Sequence, residues 1–264
     1  LSRRSERVAF PGGNGHELAG ILDLPDSLPL GTALFTHCFT CNKDLKAIVR
    51  ISRGLAEAGY LVLRYDLTGL GQSQGDFAQT SFSTNRADLL AAVSFLATNY
   101  TSPDFLIGHS FGAACSLSLA QQIDSVRGVV SVAAPSETHH LADLLQKMDP
   151  SISPTSPGSV SIGGREFTIP QSMLDDFRQY DLSAALHELT KPTLLFHSPV
   201  DETLAFAHVE RIYELLVRRD ANTLPPAPTS LICLDGADHL LTRFPHDIPF
   251  VIATMAAWFN RQIA

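Results

Sequence analysis

A serine hydroxyl is a poor nucleophile at neutral pH, and it becomes useful when the chain exposes it and brings up an imidazole to take its proton. Gly108-His109-Ser110-Phe111-Gly112 meets the first condition. It follows the apolar run Phe105-Leu106-Ile107 and leads at once into a helical stretch, so Ser110 falls on a sharp strand-to-helix turn. Flanking side chains would collide there, which is the work of the two glycines, and the serine itself sits strained and exposed. Ser110 is the candidate nucleophile. Ten histidines compete to be its base. His239, in Gly236-Ala237-Asp238-His239, directly follows the last strand-like run, Ser230 to Leu234, and takes the role. His16, His139, His140, His187, His208 and His246 read as surface or core residues, and His109 as part of the elbow. Asp201 follows Thr193 to His197, one strand earlier, where a buried carboxylate would fix the imidazole tautomer. Glu202, Asp235 and Asp238 are its rivals, read as a cap, a loop acceptor and a surface charge. The developing oxyanion needs backbone donors, expected from Phe111 and from Phe39 in His37-Cys38-Phe39-Thr40. The chemistry is acyl transfer through a covalent serine intermediate, with no metal or organic cofactor.

These residues must be held by strand ends, and the chain alternates accordingly. An N-terminal hairpin is predicted from Arg7 to Phe10 and Glu17 to Leu22, turning at Pro11-Gly12-Gly13-Asn14-Gly15. Strand Thr32 to Thr36 follows, then a helix burying Leu45, Ile48, Val49, Ser52, Leu55 and Ala56 that stops at Gly59. Strand Tyr60 to Tyr65, helix Ser83 to Thr98, strand Phe105 to Gly108, helix Phe111 to Gln122 and strand Gly128 to Ala133 continue the rhythm. It resumes with strand Thr193 to His197, helix Leu204 to Val217, strand Ser230 to Leu234 and a helix from about Ile248 to Ile263. Strands separated by helices imply an α/β fold, a mostly parallel doubly wound sheet carrying an antiparallel N-terminal hairpin, as one domain over residues 1–264.

Residues 135–190 break this rhythm with a short helix near Leu141 to Met148 and a hairpin turning at Gly163-Gly164, where Val160, Ile162, Phe167 and Ile169 share a face. Such an insertion either caps the active site or decorates the surface. As a cap, it would contribute Met148, Ile162, Phe167, Met173 and Phe177 to an apolar substrate pocket.

Composition narrows the partners. With 45% apolar and 17% charged residues and a formal charge of -8, the chain reads as a soluble protein with no nucleic-acid partner and no membrane span. Arg3, Arg4 and Arg7 make only a short basic start, with no export signal behind it. Four cysteines are too few for a disulfide framework, so a reduced, cytoplasmic setting is expected. Cys38 and Cys41 form a CxxC at a strand end, open to two readings: packing beside the oxyanion loop, or a redox-sensitive disulfide. Cys115 and Cys233 are expected to be inert core residues.

Together, the elbow, the Asp201 and His239 loops and the order Ser110, Asp201, His239 resemble the α/β-hydrolase superfamily over almost the whole chain. His37-Cys38-Phe39-Thr40-Cys41-Asn42-Lys43-Asp44-Leu45 and Tyr65-Asp66-Leu67-Thr68-Gly69-Leu70-Gly71 are similar to the hydrolase half of bacterial proteins fused to an OsmC-like domain. The first segment is also similar to a stretch of cinnamoyl and feruloyl esterases, with Cys38 and Cys41 at the glycine positions. The resemblance implies hydrolysis of small carboxylic esters, with an OsmC-like domain as fused or associated partner in a longer parent chain. It implies that Asp66 ties down the loop from Gly69 to Gly75 and takes no part in chemistry. An acyltransferase, thioesterase or peptidase would use the same triad, and a silent hydrolase scaffold is the non-enzymatic alternative.

Overall fold

In the computed structural model, which describes residues 4–218 and 225–264, the chain opens with an antiparallel hairpin of β1 (Arg4–Pro11) and β2 (Glu17–Leu24). Arg3 of the basic start lies outside the described residues. Then come β3 (Gly31–Thr36), α1 (Lys46–Glu57), β4 (Tyr60–Tyr65), α2 (Phe82–Asn99), β5 (Phe105–His109), α3 (Phe111–Leu119) and β6 (Gly128–Val132). The insertion holds α4 (His139–Met148), β7 (Gly158–Ile162), β8 (Arg165–Ile169), α5 (Gln171–Gln179) and α6 (Leu182–Glu188). The chain returns through β9 (Thr193–His197), α7 (Ala207–Val217), β10 (Thr229–Cys233) and α8 (Asp247–Ile263).

Eight strands form one sheet in the order β1-β2-β4-β3-β5-β6-β9-β10, and every pairing from β4 to β10 is parallel. The five inner strands are buried along their whole length, which is why their sequences are continuous apolar runs without a polar face. The period of two still sorts their side chains. Ala33, Phe35, Phe105, Ile107 and Phe196 pack with α1 and α8, whereas Leu34, Leu63, Leu106 and Leu195 join the core containing α2, α3 and α7. Helix α2 starts on a reciprocal capping box between Ser81 and Thr84, a device that satisfies two otherwise orphaned amides.

The insertion is not a loose decoration. Phe177 of α5 lies against Phe39 at 5.7 Å and Phe111 at 5.0 Å, and Phe167 of β8 against Phe77 at 4.9 Å. Tyr180 meets Phe82 at 4.5 Å. Aromatic pairs of this kind contribute about 0.5–1.5 kcal/mol each beyond the area they bury, so the insertion is fastened to the elbow itself. Two helices in it, α5 and α6, were not among the elements expected there. Both carried a signal: Met173, Leu174 and Phe177 are spaced for one helical face, and Asp181 caps α6 by accepting from the Ala184 amide at 3.2 Å. Helix α7 begins three residues later than expected because Leu204 is held back in a turn, its amide donating to Asp201.

Candidate active site

The loops after β3, β5, β9 and β10 converge at the carboxyl ends of the strands, where open α/β sheets bind their ligands. The loop after β5 is the tightest. Ser110 has φ 54 and ψ -122, a region costing a non-glycine residue about 1–3 kcal/mol. It is held there by its amide, which donates to Val132 O at 2.8 Å, and by its carbonyl, which accepts from Ala113 at 2.9 Å. A Cβ on Gly108 would strike Ala113 Cα, and one on Gly112 would strike the carbonyl oxygens of His37 and Thr36. The turn can therefore lie this close to β3 only with glycine at both positions.

After β9, the Asp201 carboxylate is divided between two tasks. Oδ1 accepts from the amides of Thr203 at 2.8 Å and Leu204 at 3.0 Å, and Oδ2 accepts from His239 Nδ1 at 2.8 Å. Burial works to raise its pKa, but the hydrogen bond and charge of His239 and the two amides outweigh it, so the carboxyl is held below its ordinary value of 3.8. The His239 ring thereby carries its hydrogen on Nδ1 and turns Nε2 to the other side. Its backbone is held as well, because His109 Nε2 donates to His239 O at 2.8 Å. His109 is buried, and that burial pushes its pKa down to about 3; it acts as a neutral donor linking the elbow to the loop of His239. No hydrogen bond joins the Ser110 hydroxyl to His239 among the described residues. Both line one cleft of about 810 Å³, and such contacts commonly tighten only with substrate in place.

The amides of Phe39 and Phe111 donate to no protein acceptor among the described residues. Phe39 sits in a loop fixed at both ends. His37 Nδ1 donates to Cys38 O at 2.7 Å while its Nε2 accepts from the Leu67 amide at 3.1 Å, a neutral tautomer that burial favours by lowering its pKa. At the other end, Lys43, buried, donates to Asp66 from its amide at 2.6 Å and from Nζ at 2.7 Å. Arg64, equally buried, reaches Lys43 O at 2.8 Å, Asp44 at 2.9 Å and Asp23 at 2.9 Å. Asp66 also accepts from the Gln72 amide at 2.8 Å, so one carboxylate ties the loop after β4 to the loop after β3. Lys43 and Arg64 escaped the sequence reading; an arginine inside the apolar run of β4 is the trace that pointed to them.

The cleft wall is apolar where α4 borders it, through Leu141, Leu144, Leu145 and Met148. Of the five expected pocket residues, Met148 and Ile162 line it. Phe167, Met173 and Phe177 do not: Met173 and Phe177 are buried in the core behind the wall and Phe167 packs on Phe77. Leu141, Leu144 and Leu145 were missed, although they recur on the same helical face as Met148. Of the two readings left open for Cys38 and Cys41, the structure has the pair joined by a disulfide, which lines the cleft. Two further expectations change. Cys233 is exposed, not core, because β10 is the last strand of the sheet; Cys115 is buried and its thiol pKa is pushed up by desolvation. Asp238 is a loop cap, accepting from the amides of Thr242 at 2.6 Å and Arg243 at 2.9 Å. Among the described residues no cluster of His, Cys, Asp or Glu could hold a metal ion, and no helix is long and apolar enough to cross a membrane.

Comparison with known proteins gives this arrangement a family. The esterase domain of a Rhodothermus marinus protein is 36% identical over 99% of this chain and 100% of that one, with a TM-score of 0.77. The chain belongs to the α/β-hydrolase superfamily. As a serine hydrolase of the esterase type, it also matches, over residues 41–166, a family model described as serine aminopeptidase, S33. Est1E of Butyrivibrio proteoclasticus, solved with ferulic acid bound, shares the fold at a TM-score of 0.80 and 19% identity, over 97% of this chain and 99% of that one. The palmitoyl-protein thioesterase ABHD10, mitochondrial, of Rattus norvegicus is 23% identical over 197 residues, 72% of this chain. The hydrolase spans 65% of that relative's length. The likeness to OsmC-like fusion proteins gains no support from these matches.

Proposed function

We propose that this hydrolase is a carboxylesterase acting on small acyl esters through Ser110, His239 and Asp201. The observation that carries the proposal is the convergence, on one largely apolar cleft, of a serine held at positive φ and a histidine whose Nδ1 is committed to a buried carboxylate. With Nδ1 so occupied, Nε2 is the nitrogen left to accept the Ser110 proton as the hydroxyl attacks the ester carbonyl. The oxyanion that forms is met by the amides of Phe111 and Phe39, whose donors are otherwise unused. Protonated His239 then passes its hydrogen to the departing alcohol. Water, activated by the same imidazole, releases the acid and restores the serine. Asp201 remains ionised throughout, which its lowered pKa supports.

A thioester substrate is the second reading. It is favoured by the leucines and methionine of α4, which offer an acyl chain a long apolar wall, and by the thioesterase named among the relatives. The test uses matched p-nitrophenyl esters and acyl thioesters of acetyl to octanoyl length, the wild type and Ser110→Ala, and intact mass after a serine-directed fluorophosphonate. Turnover of oxygen esters with a single adduct, both lost in Ser110→Ala, supports the esterase. Turnover confined to thioesters moves the assignment to the second reading, and neither turnover nor adduct refutes both.

A further inference from the structure

Residues 38–41 form a short bridge between two rigid anchors. Upstream, His37 is tied to the loop after β4 by accepting from the Leu67 amide through Nε2, and its Nδ1 holds Cys38 O; downstream, Lys43 is bonded twice to Asp66. Between them the chain makes one backbone hydrogen bond of its own, from Cys41 N to Cys38 O at 3.2 Å, and is closed by the Cys38–Cys41 disulfide, with Cα atoms 5.3 Å apart. Phe39 lies inside that ring of four residues. Both cysteines line the cleft, Cys38 being buried and Cys41 half-buried. The disulfide borders the cleft on one side and closes the ring that carries the proposed oxyanion donor on the other.

We infer that Cys38 and Cys41 are a thiol–disulfide exchange site for small thiols and dithiols entering the cleft, and that its redox state sets the position of the Phe39 amide. A thiolate attacks Cys41 sulfur, the more accessible of the two, forming a mixed disulfide and releasing Cys38, which takes up a proton. A second thiol then attacks the incoming sulfur, releasing Cys41. Two thiols are oxidised to one disulfide, and the Cys38–Cys41 bond takes two electrons and two protons. The bonds to Leu67 and Asp66 at the two ends and the packing of the Phe39 ring on Phe77, Phe111 and Phe177 do not pass through the disulfide, so opening it loosens only the backbone of residues 38–41 and leaves the fold in place. The effect on turnover rests on the proposed role of Phe39. Complete loss of one oxyanion donor lowers kcat by about 10²–10³-fold. A loosened donor sets a smaller expectation, between about threefold and about a hundredfold.

The experiment uses a Cys233→Ser background, which removes the exposed free thiol, whereas buried Cys115 stays silent to alkylation. The native protein is incubated with excess dithiothreitol, alkylated and mapped by peptide mass, with ester turnover and hydrogen exchange at the amides of residues 39–41 recorded in parallel. Expected are alkylation of both Cys38 and Cys41 without denaturant, faster exchange at those amides, and a kcat that falls by the stated factor and returns on reoxidation. Cys38→Ser/Cys41→Ser should rest at the reduced level and ignore reductant. Alkylation that requires denaturant refutes the exchange site. Full reduction with unchanged exchange and kcat refutes its control of Phe39. If no ester is turned over at all, the esterase reading fails by itself, while alkylation and hydrogen exchange still decide this inference.

Discussion

Replacing Asp201 by Asn changes one atom and should reverse the polarity of His239, the proposed base. The Thr203 and Leu204 amides both donate to Oδ1 of Asp201, at 2.8 and 3.0 Å. In the Asn variant the carbonyl oxygen must stay on that side, because an NH2 group there would face two donors. The NH2 group then points at His239 Nδ1, 2.8 Å away in the wild type. Nδ1 can only accept, its hydrogen moves to Nε2, and the ring presents Ser110 with a donor where a base is needed. Loss of the correct tautomer in such a triad lowers kcat by about 10⁴-fold, roughly 5.4 kcal/mol of barrier. Stability should change far less, by about 1–2 kcal/mol, since all hydrogen-bonded positions remain filled and only the charge is lost. His197 offers no rescue: its Nε2 is 3.8 Å from Asp201 and bonded to Leu204 O at 2.9 Å. The assay is kcat on a short p-nitrophenyl ester together with urea unfolding. A folded variant within tenfold of the wild type would falsify the assignment of Asp201 as the residue that orients His239.

Three further outcomes are expected. His109 has a folded-state pKa of about 3 against an ordinary 6.5, so the unfolded chain binds the proton first and stability falls as the pH drops below 6.5. His109→Gln, which keeps a donor for His239 O, should gain about 2 kcal/mol on the wild type between pH 7 and pH 5; parallel urea-unfolding curves at the two pH values would contradict this. Gly112→Ala places a methyl group on the carbonyls of His37 and Thr36 and should destabilise by about 1–3 kcal/mol, seen as a lowered Tm; an unchanged Tm would show that β3 gives way. Leu144→Ala with Met148→Ala should lower the octanoate-to-acetate ratio of kcat/KM about tenfold, through KM. An unaltered ratio would mean that α4 does not bound the acyl chain.

Local geometry was the most legible part of this chain. The elbow could be read because a strained turn demands glycine at fixed offsets, and the loops of Asp201 and His239 because a parallel sheet delivers its loops to one edge. The central strands were legible from their unbroken apolar runs. What the sequence hid was direction. Met173 and Phe177 are apolar and belong to the insertion, as expected, yet helical phase turns them onto Phe39 and Phe111 and away from the cleft. The strand at Cys233 was foreseen, but exposure there depends on β10 having no further neighbour, a property of sheet order. Lys43 and Arg64 were missed because buried charges look like surface charges until their carboxylate partners, distant in sequence, are brought beside them.

The position of the insertion also limits how this enzyme can be re-engineered. Strands β6 and β9 are hydrogen-bonded parallel neighbours, and joining two such strands takes a crossover running the length of the sheet, of about a dozen residues or more. Helix α6, packed with α3 in the same core, supplies that return path, which does not require α4 or the β7–β8 hairpin, although both bury side chains in that core through Ala142, Leu145, Val160 and Ile169. The segment therefore has a replaceable front and an obligatory rear. Grafts that exchange residues 139–169 while keeping apolar side chains at 142, 145, 160 and 169 can bring in a new binding wall, but one that also removes α6 would cut the sheet between β6 and β9.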